Sequence, residues 1–376
     1  MAALHGVRVL DFSTLLPGPL ATLLMAEAGA EVIKIERPAG GDDMRAYEPQ
    51  LEVGGASMGL PFALLNRGKR SLALDLKSPQ AADTLRPLLE KADVVVEQFR
   101  PGVMARLGLD WESLQRINPR LILCSITGYG QRGPKALVAA HDLNYLADTG
   151  LLSLVADGTG SPALPPALIA DIGGGAYPAL INVLLALRQR DATGCGVHLD
   201  VSMSDNLFPL EFFALAQGWS GQGWPRANQG LTTGGSPRYG VYRCADDRFL
   251  AAAPLEQKFW DNLCAAIDLP ERWRDDRRDP AGTRAAVAAC IARRTSAEWT
   301  ARLAGLDVCC NVVASVEEAS RDPHFAARGL FERRVAAGQT ALPALPVPID
   351  AAVRTPALLA AAPPLGEFDP VERHGR

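Results

Sequence analysis

The sequence predicts an α/β protein, with a large Rossmann-like domain built on a parallel sheet and a smaller α+β domain after it. Over the first 216 residues, short apolar strands alternate with helical patterns, which is typical of a parallel sheet covered by helices. The chain has 376 residues, which exceeds the usual size of one domain. The alternation stops near Gln217, where a stretch rich in glycine and tryptophan begins. We therefore assign the large domain to 1–216, the small domain with its preceding linker to 217–330, and to 331–376 a C-terminal segment that returns to the large domain.

The elements of the large domain follow from local patterns. A strand at 7–12, a helix at 20–27 and a strand at 31–36 form the first strand-helix-strand unit. The other strands are predicted at 71–77, 93–97, 121–126 and 197–202. The other helices are predicted at 78–91, around Arg106, at 141–154 and at 174–190. The first loop, 16–19, has one glycine and lacks the dinucleotide fingerprint, so we expect neither NAD nor FAD.

The small domain begins with a predicted pair of strands, at 239–244 and 249–253, joined by a turn. Helical patterns follow it at 256–266, 285–294, 296–303 and 316–321. Mixed strands and helices of this kind predict an α+β domain.

Composition excludes several classes of protein. A net charge of −4 and a pI near 5.8 give no basic footprint, so we expect no nucleic-acid partner. No signal peptide is evident, and no apolar run looks long enough to span a bilayer, so no membrane partner is expected. The seven cysteines are scattered and lack the paired spacing of a zinc site or a disulfide scaffold. We therefore predict a cytoplasmic protein without a metal.

Candidate ligand-binding residues follow the predicted strands. Arg37 follows the second strand, 98–100 follows the strand at 93–97, and a glycine loop at 128–133 follows the strand at 121–126. The carboxyl ends of parallel strands meet at one edge of the sheet, where open α/β proteins bind ligands. Arginine forks suit phosphate, so this edge is where a phosphorylated carrier would lie.

The cations Arg67, Lys69 and Arg70 have two interpretations of similar weight. A run of charge is usually solvated surface. Alternatively, these residues flank a strand end and contribute to the phosphate site.

Two acid-base residues stand where helical patterns begin. His141 precedes Asp142 and an apolar segment, and Asp171 precedes the three glycines 173–175, which would let another molecule approach the backbone. For either residue alone, a structural histidine or a helix cap is the favoured interpretation. Together, they indicate two proton carriers facing one small pocket.

The chain resembles the family III CoA-transferase superfamily (CaiB/BaiF type), and its motifs are most similar to the α-methylacyl-CoA racemase branch. The resemblance covers essentially the whole chain and rests on ordered motifs, namely Asp11 with 17–19, 66–70, 100–102, 128–134, 141–145 and 171–175. It implies a large Rossmann-like domain made from both chain ends, a small central domain, and an interlocked homodimer with its active site between subunits. It also implies an acyl-CoA substrate and no cofactor beyond the CoA moiety.

The resemblance further implies which residues contact CoA. By position, the family's CoA-contacting motifs match Arg37, Leu74, Lys77, Gln98, Phe99, Arg100, Arg106, Ala140, Asp142, Asn144 and Tyr145. Several of these are the strand-end residues identified above from their spacing.

The resemblance gives Asp171 a role in both branches. In transferases this aspartate is a nucleophile that forms an acyl anhydride. In racemases it is one of two acid-base residues, with His141 as the other and Glu256 supporting the histidine. Inverting a carbon beside a thioester requires a base on each face, with the enolate held by backbone N–H groups at a helix start.

We favour a 2-methylacyl-CoA racemase or epimerase, because His141 and Glu256 are present and the glycine run at 234–237 is short. The alternative is a CoA-transferase that moves CoA between carboxylic acids through Asp171. A noncatalytic CoA-binding protein is the third hypothesis. Gln257 stands where the racemase motif usually has proline, and Glu256 alone is also compatible with a simple carboxylate at a helix start. The apolar residues from Met203 to Phe213 could carry the acyl tail, although core packing is the stronger interpretation for most of them.

Overall fold

The computed structural model describes residues 1–53, 56–337 and 340–370. The chain divides into two compact units, the first made of Met1–Thr149, Pro166–Phe208 and Pro323–Arg376, and the second of Gly150–Pro165 and Pro209–Asp322. The second unit therefore starts before the predicted boundary at 217 and also takes in residues that the sequence analysis gave to the large domain. Of the predicted C-terminal segment 331–376, residues 338, 339 and 371–376 lie outside the described residues.

The segment 150–165 joins the second unit through paired hydrogen bonds with Asn228. The Asn228 side chain accepts from the Ala156 N–H at 3.1 Å and donates to the Ala156 carbonyl at 2.8 Å, and its backbone N–H donates to Leu154 at 3.0 Å. Residues this far apart in sequence give no local pattern, so this association could not be predicted from the sequence.

A six-stranded parallel sheet forms the centre of the first unit, in the order β5-β2-β1-β6-β7-β8. Its strands are β1 (Arg8–Asp11), β2 (Glu31–Glu36), β5 (Arg70–Ala73), β6 (Val94–Glu97), β7 (Ile122–Thr127) and β8 (His198–Ser202), while β3 (Gln50–Val53) and β4 (Ala56–Gly59) form a separate antiparallel pair. Leu10 lies beside Ile33 on one side and Val95 on the other. All three are buried, as expected for a parallel sheet covered on both faces. The predicted α/β architecture with a parallel sheet is confirmed.

Helices connect these strands. They are α1 (Pro17–Glu27), α2 (Leu60–Asn66), α3 (Ala81–Leu89), α4 (Val103–Arg106), α5 (Trp111–Ile117), α6 (Asp142–Thr149) and α7 (Tyr177–Thr193). Short 3-10 turns occur at Asp43–Ala46, Leu151–Leu154 and Asp205–Glu211, and a π-helical turn, Ala170–Ala176, runs directly into α7.

The helix that runs from Ala170 to Thr193 is long and apolar enough to cross a membrane by length and composition alone. The expectation that no apolar run is long enough is therefore wrong. Its most apolar window is 44% buried, and near its end Arg190 is buried in an ion pair with Asp93 at 2.9 Å. A helix packed in the core of a folded unit passes the same test.

The second unit has a three-stranded antiparallel sheet in the order β11-β10-β9. Its elements are α8 (Phe212–Trp219), β9 (Gly240–Arg243), β10 (Phe249–Ala252), α9 (Gln257–Ala266), a 3-10 turn at Glu271–Trp273, α10 (Pro280–Ile291), α11 (Ser296–Leu303), β11 (Cys310–Val312) and α12 (Val316–Ser320), with a π-type turn at Leu231–Gly235. Trp260 and Trp299 are fully buried in its core, and each indole N–H donates to a backbone carbonyl, at 2.7 and 2.8 Å. Such donation satisfies the polar atom of a buried indole.

The C-terminal part of the chain packs on the first unit. It contains α13 (Pro323–Ala327), β12 (Arg334–Ala337), β13 (Thr340–Pro343) and β14 (Leu359–Ala361), with the sheet order β13-β12-β14. Phe368 is buried in the same core as Leu72, and its N–H donates to the Ser71 carbonyl at 2.9 Å. The Arg70 guanidinium lies 3.8 Å from the centre of the Phe368 ring.

The two cations before β5, Arg67 and Lys69, are neither solvated surface nor a phosphate site. Arg67 is 2% exposed and pairs with Glu27 at 2.9 Å, and Lys69 is 4% exposed and pairs with Asp11 at 3.2 Å. Arg67 and Lys69 also precede β5 and therefore lie at its amino end, whereas ligands of open α/β proteins bind at the carboxyl ends of the strands. Both interpretations are therefore wrong for Arg67 and Lys69, because internal carboxylates pair with them. Arg70 is half-buried and pairs with Glu31 at 3.2 Å.

Candidate functional site

One cavity of about 380 Å³ gathers loops that follow β1, β6 and β7 at the carboxyl edge of the sheet. Eight residues predicted from the sequence line it, namely Gln98, Phe99, Arg100, Ala140, His141, Asn144, Tyr145 and Asp171. His141 and Asp171, which are thirty positions apart in the chain, thus face the same space.

The other predicted site residues lie elsewhere. Arg37, Leu74, Lys77 and Arg106 do not line the cavity; Arg37 follows β2 and pairs with Asp43, and Leu74 follows β5. Arg37 and Leu74 directly follow their strands and therefore stand at the same sheet edge as Gln98, because β5, β2, β1 and β6 are consecutive parallel strands. Their predicted contact with CoA stays a prediction.

Two further predicted residues also lie outside the cavity lining. Asp142 is buried behind it, and its predicted contact with CoA stays a prediction. Glu256 belongs to the second unit, where it is exposed and immediately precedes α9 without a side-chain capping bond. Its predicted support of His141 stays a prediction.

His141 is fixed by the start of α6. Its carbonyl accepts the N–H groups of Asn144 and Tyr145, at 2.8 and 3.3 Å. The Asn144 side chain reaches back and accepts the His141 N–H at 3.0 Å. The second contact is one half of a capping box, in which the side chain of the third helical residue accepts the backbone N–H of the cap residue. The backbone that carries the imidazole is therefore held on both sides.

Asp171 is fixed by Asp142. The Asp142 Oδ1 accepts the N–H groups of Ala170 and Asp171, at 2.7 and 3.0 Å. These are free donors in the first turn of the helix, and a carboxylate from another segment caps them. Asp142 directly follows His141 in the chain. It thus connects the start of α6 with the helix start that carries Asp171.

The same contact affects the proton affinity of Asp171. Burial, with the nearby Asp142 carboxylate, raises the pKa of Asp171 to about 6, while His141 acts in the opposite direction. Burial and the two carboxylates also raise the pKa of Tyr145 to about 12, and its hydroxyl donates to the Ala140 carbonyl at 2.9 Å. Asp171 therefore takes up a proton near neutral pH.

The glycines after Asp171 serve packing within the chain. A side-chain carbon on Gly174 would lie 2.3 Å from the Met203 carbonyl oxygen, and one on Gly175 would lie 3.0 Å from Pro17. The expectation that these glycines let another molecule approach is therefore wrong for Gly174 and Gly175. They let the Asp171 helix pack closely on the ends of neighbouring segments.

The opposite wall of the cavity rests on Gln98. Its amide oxygen accepts the Gly18 N–H at 3.0 Å, and its amide nitrogen donates to the Thr14 carbonyl at 2.7 Å. Both ends of this side chain are therefore occupied by the loop 13–18. The buried Lys34 holds the start of that loop, because its ammonium group donates to the Ser13 carbonyl at 2.6 Å.

Three further lining residues were predicted more loosely, since Gly128 and Tyr129 belong to the glycine loop 128–133 and Met203 to the apolar stretch offered for the acyl tail. Eight lining residues were not predicted, namely Leu15, Pro17, Pro101, Ile126, Thr127, Ala136, Val138 and Ala139. Most are apolar or small and carry no chemical signal. At Gly128, a side-chain carbon would lie 2.5 Å from the Tyr145 ring, so this glycine makes room for that ring.

These contacts exclude one of the helix starts that could hold the expected enolate. The N–H groups of Ala170 and Asp171 donate to Asp142 and cannot also hold an enolate. The start of α6, immediately after His141, is the remaining helix start beside the candidate residues. Within the described residues, no group of three or more His, Cys, Asp or Glu side chains is arranged to hold a metal ion. The absence of a metal from the working protein stays a prediction.

Asp142→Asn is expected to lower the pKa of Asp171 while keeping the helix cap, because the amide oxygen still accepts hydrogen bonds but carries no charge. Asp142→Ala removes both, and should also lower the free energy of unfolding by about 0.5–2 kcal/mol, as for a lost cap. Carboxyl ¹³C NMR titration of Asp171, assigned through Asp171→Asn, measures the first effect, and urea unfolding measures the second. An unchanged Asp171 midpoint in Asp142→Asn would show that the charge of Asp142 does not act on it.

Comparison with known proteins places this site in context. The sequence matches CoA-transferase family III over residues 4–368. Human alpha-methylacyl-CoA racemase is 36% identical over 339 residues, covering 88% of this chain and 82% of that protein. Acetyl-CoA:oxalate CoA-transferase of Acetobacter aceti is 34% identical over 357 residues, covering 92% of this chain and 88% of the relative. A crystal structure of a CAIB/BAIF family protein from Brucella suis aligns with a TM-score of 0.83 and 29% identity, covering 97% of each chain. Racemases and transferases are thus similar to this chain at nearly the same identity.

Proposed function

The chain belongs to CoA-transferase family III, and on that premise we propose that it is a 2-methylacyl-CoA racemase or epimerase. The observation that carries the proposal is that His141 and Asp171 line one cavity. Racemisation at the carbon beside a thioester needs one group to remove a proton from one face and another to deliver a proton to the opposite face. An imidazole and a carboxylate in one small space can supply both.

The proton affinity of Asp171 supports this role. An ordinary aspartate, with a pKa near 3.9, is too weak a base to abstract a carbon-bound proton efficiently, whereas an imidazole titrates near 6.5. With its pKa raised to about 6, Asp171 approaches the basicity of an imidazole. Two groups of similar basicity can exchange the roles of acid and base, as a reversible racemisation requires.

We propose that the CoA moiety lies along the carboxyl edge of the sheet. Arg37, Lys77, Arg100 and Arg106 are exposed and provide the cations that phosphate groups need. The backbone N–H groups at the start of α6 would then hold the enolate oxygen next to His141. Glu256 would orient the imidazole and stabilise its cationic form.

We also propose that the active form is an interlocked homodimer. The long helix α7 leaves large apolar side chains exposed in the single chain, with Ile181 56% and Leu185 63% exposed. Exposed apolar surface of this kind is typical of a protein-protein interface. A cytoplasmic location, without a nucleic-acid or membrane partner, remains our prediction from the sequence.

A CoA-transferase acting through Asp171 is the alternative, favoured by the 34% identity to acetyl-CoA:oxalate CoA-transferase. In that reaction the Asp171 carboxylate attacks the thioester carbonyl, a mixed anhydride forms, and the CoA thiolate leaves. It needs a second carboxylic acid to accept CoA and has no proton-transfer role for His141.

Proton NMR of (R)- and (S)-2-methylacyl-CoA in deuterated buffer, without any added carboxylic acid, distinguishes the two reactions. The wild type is expected to replace the α-proton of both enantiomers by deuterium, and His141→Ala that of one at most. His5→Ala, an exposed histidine at the N-terminus, serves as the control and should behave like the wild type. No exchange in the wild type, followed by CoA transfer once succinate is added, would refute the racemase and support the transferase.

A further inference from the structure

A second cavity, of about 560 Å³, adjoins the first, and Arg100 and Pro101 line both. The loop 98–101 lines the first cavity, and its end at Arg100 and Pro101 also lines the second, so this loop is the wall between the two cavities. The second cavity holds a group of titratable side chains that the proposed reaction does not use, and their contacts show how this wall is held.

Three of these side chains lie in register across the sheet. Glu97 on β6 pairs with Ser125 on β7, and Ser125 pairs with Asp200 on β8. Side chains at paired positions of parallel strands point to the same face of the sheet. His198 lies two residues before Asp200 on β8 and therefore shares that face. A carboxylate, a hydroxyl, a second carboxylate and an imidazole are thus assembled on one surface.

Glu97 is the member of this group that reaches the wall. It is 3% exposed, and its Oε2 accepts the N–H of Phe99 at 2.7 Å. The Ser125 hydroxyl lies 2.9 Å from His198 Nε2. Ser125 and His198 therefore lie beside Glu97 on this face of the sheet, and the Glu97 carboxylate is the group that contacts the backbone of the wall directly.

This arrangement is not a second nucleophilic site. Ser125 is 2% exposed, so its hydroxyl is not accessible to a substrate. What Glu97 and its neighbours can do is set the strength of the hydrogen bond between the Glu97 carboxylate and the Phe99 N–H. An ionised carboxylate holds a backbone N–H more strongly than a protonated one.

We propose that Glu97 is a positioning residue that holds the loop 98–100 through the Phe99 N–H, so that binding of CoA weakens when this carboxyl is protonated. The proposal rests on the proposed function only for the identity of the ligand. The residues of this loop line the candidate acyl-CoA cavity, and Gln98 also connects it to the loop 13–18. Loosening the Phe99 contact would therefore disturb both sides of that cavity.

The sign of the pH dependence follows from the surroundings of Glu97. Burial, with the neighbouring Asp200 carboxylate, raises the pKa of Glu97 to about 7, while Ser125 and the Phe99 N–H act in the opposite direction. The carboxylate is thus ionised above neutral pH and protonated below it, and CoA affinity should fall as pH falls. The other titratable and charged groups around it are Arg100 from its own loop, Cys124 from β7, His198 and Asp200 from β8, Asp110 and Glu112 from the start of α5, and Arg132 from the glycine loop.

The first test follows the Phe99 amide without any ligand. In protein labelled with ¹⁵N-phenylalanine, the Phe99 resonance, assigned by its loss in Phe99→Leu, is expected to titrate with a midpoint near 7 in the wild type. It should not titrate in this range in Glu97→Gln, which keeps the acceptor oxygen but cannot ionise. Equal titration in both proteins would overturn the proposal, because another group would then control the loop.

The second test measures the affinity for dephospho-CoA by calorimetry at pH 6 and pH 8. This ligand lacks the 3′-phosphate, whose own ionisation near pH 6 would otherwise contribute. The wild type is expected to bind roughly tenfold more weakly at pH 6, the difference between a hydrogen bond to a charged and to a neutral acceptor. At both pH 6 and pH 8, Glu97→Gln should bind dephospho-CoA with the affinity that the wild type has at pH 6. Glu112→Gln, an exposed carboxylate lining the same second cavity, is the matched control and should keep the wild-type pH dependence.

The outcomes separate this proposal from the proposed function. If dephospho-CoA binds to none of the proteins while the Phe99 amide titrates only in the wild type, the role of Glu97 in positioning is supported and CoA recognition is refuted. If dephospho-CoA binds equally at pH 6 and pH 8 in the wild type, the coupling of Glu97 to binding is overturned, whatever the result for α-proton exchange.

Discussion

Asp171→Asn is expected to lower the rate of α-proton exchange by on the order of 10²–10⁴-fold, the usual contribution of a general acid-base residue. The amide has nearly the same shape as the carboxyl group, but it can neither accept nor return a proton. The contact with Asp142 is kept, because the backbone N–H of residue 171 makes it. The amide is also a poor nucleophile, so the alternative CoA-transferase reaction should be lost as well. Exchange of deuterium into 2-methylacyl-CoA and CoA transfer to succinate measure the two losses separately.

The same substitution should stabilise the protein at neutral pH. Because the pKa of Asp171 is raised to about 6 from 3.8, the folded state binds this proton more tightly than the unfolded state. Its contribution to stability is therefore greatest at low pH, and it is lost as pH rises from about 4 through 6. The amide does not ionise, so the variant does not lose this stability as pH rises. Asp171→Asn should therefore unfold at a higher urea concentration than the wild type at pH 7, and the difference should be smaller at pH 4.

Asp83→Asn provides the matched control, because this carboxylate is exposed on α3, away from the cavity lining. It should change neither exchange nor stability. If Asp171→Asn retained wild-type exchange, Asp171 would have no part in the proton transfer, and the two-base proposal would fail.

Lys69→Met is expected to lower the free energy of unfolding by about 3–5 kcal/mol, the usual cost of leaving a buried charge without its partner. Lys69 Nζ lies 3.2 Å from Asp11 Oδ2 and also donates to the Pro19 carbonyl, Thr22 and Asn66, at 2.8 to 2.9 Å. Burial by itself raises the pKa of Asp11, but Lys34, Lys69 and two hydroxyl groups lower it to about 2. Methionine fills similar space and offers none of these interactions.

Urea unfolding at pH 7 measures this loss, and two further variants interpret it. Arg278→Ala breaks an ion pair whose arginine is 83% exposed, and it should change stability by less than about 1 kcal/mol. The double variant Asp11→Asn, Lys69→Met should lose less free energy of unfolding than the two single variants lose together. In the double variant both charges of the pair are removed, so neither is left buried without its partner. Additive losses would show that the two residues do not stabilise each other.

Lys69→Met should also weaken the binding of dephospho-CoA. Lys69 pairs with Asp11, whose carboxylate accepts the Ser13 N–H and so holds the start of the loop 13–18. This loop supplies Leu15 and Pro17 to the cavity and contacts Gln98. A loss of stability without any loss of affinity would separate this buried cluster from the site.

The sequence by itself determined the parallel sheet, the position of the strand-end residues and the pairing of His141 with Asp171. Each of these depends on short-range information: the spacing of apolar residues, the polarity of successive strands, and the residue types that can carry protons. The motifs that resemble CoA-transferase family III added the expected ligand and the branch of chemistry.

Only the tertiary structure decided what several of the polar residues do. Asp142 caps the helix of Asp171, the cations before β5 pair with buried carboxylates, and Gly174 makes room for Met203. In the sequence, a buried ion pair and a solvated charge look alike, because the partner lies tens of residues away. Burial and partner distance set the energy of a charge, and both arise only when distant segments pack together.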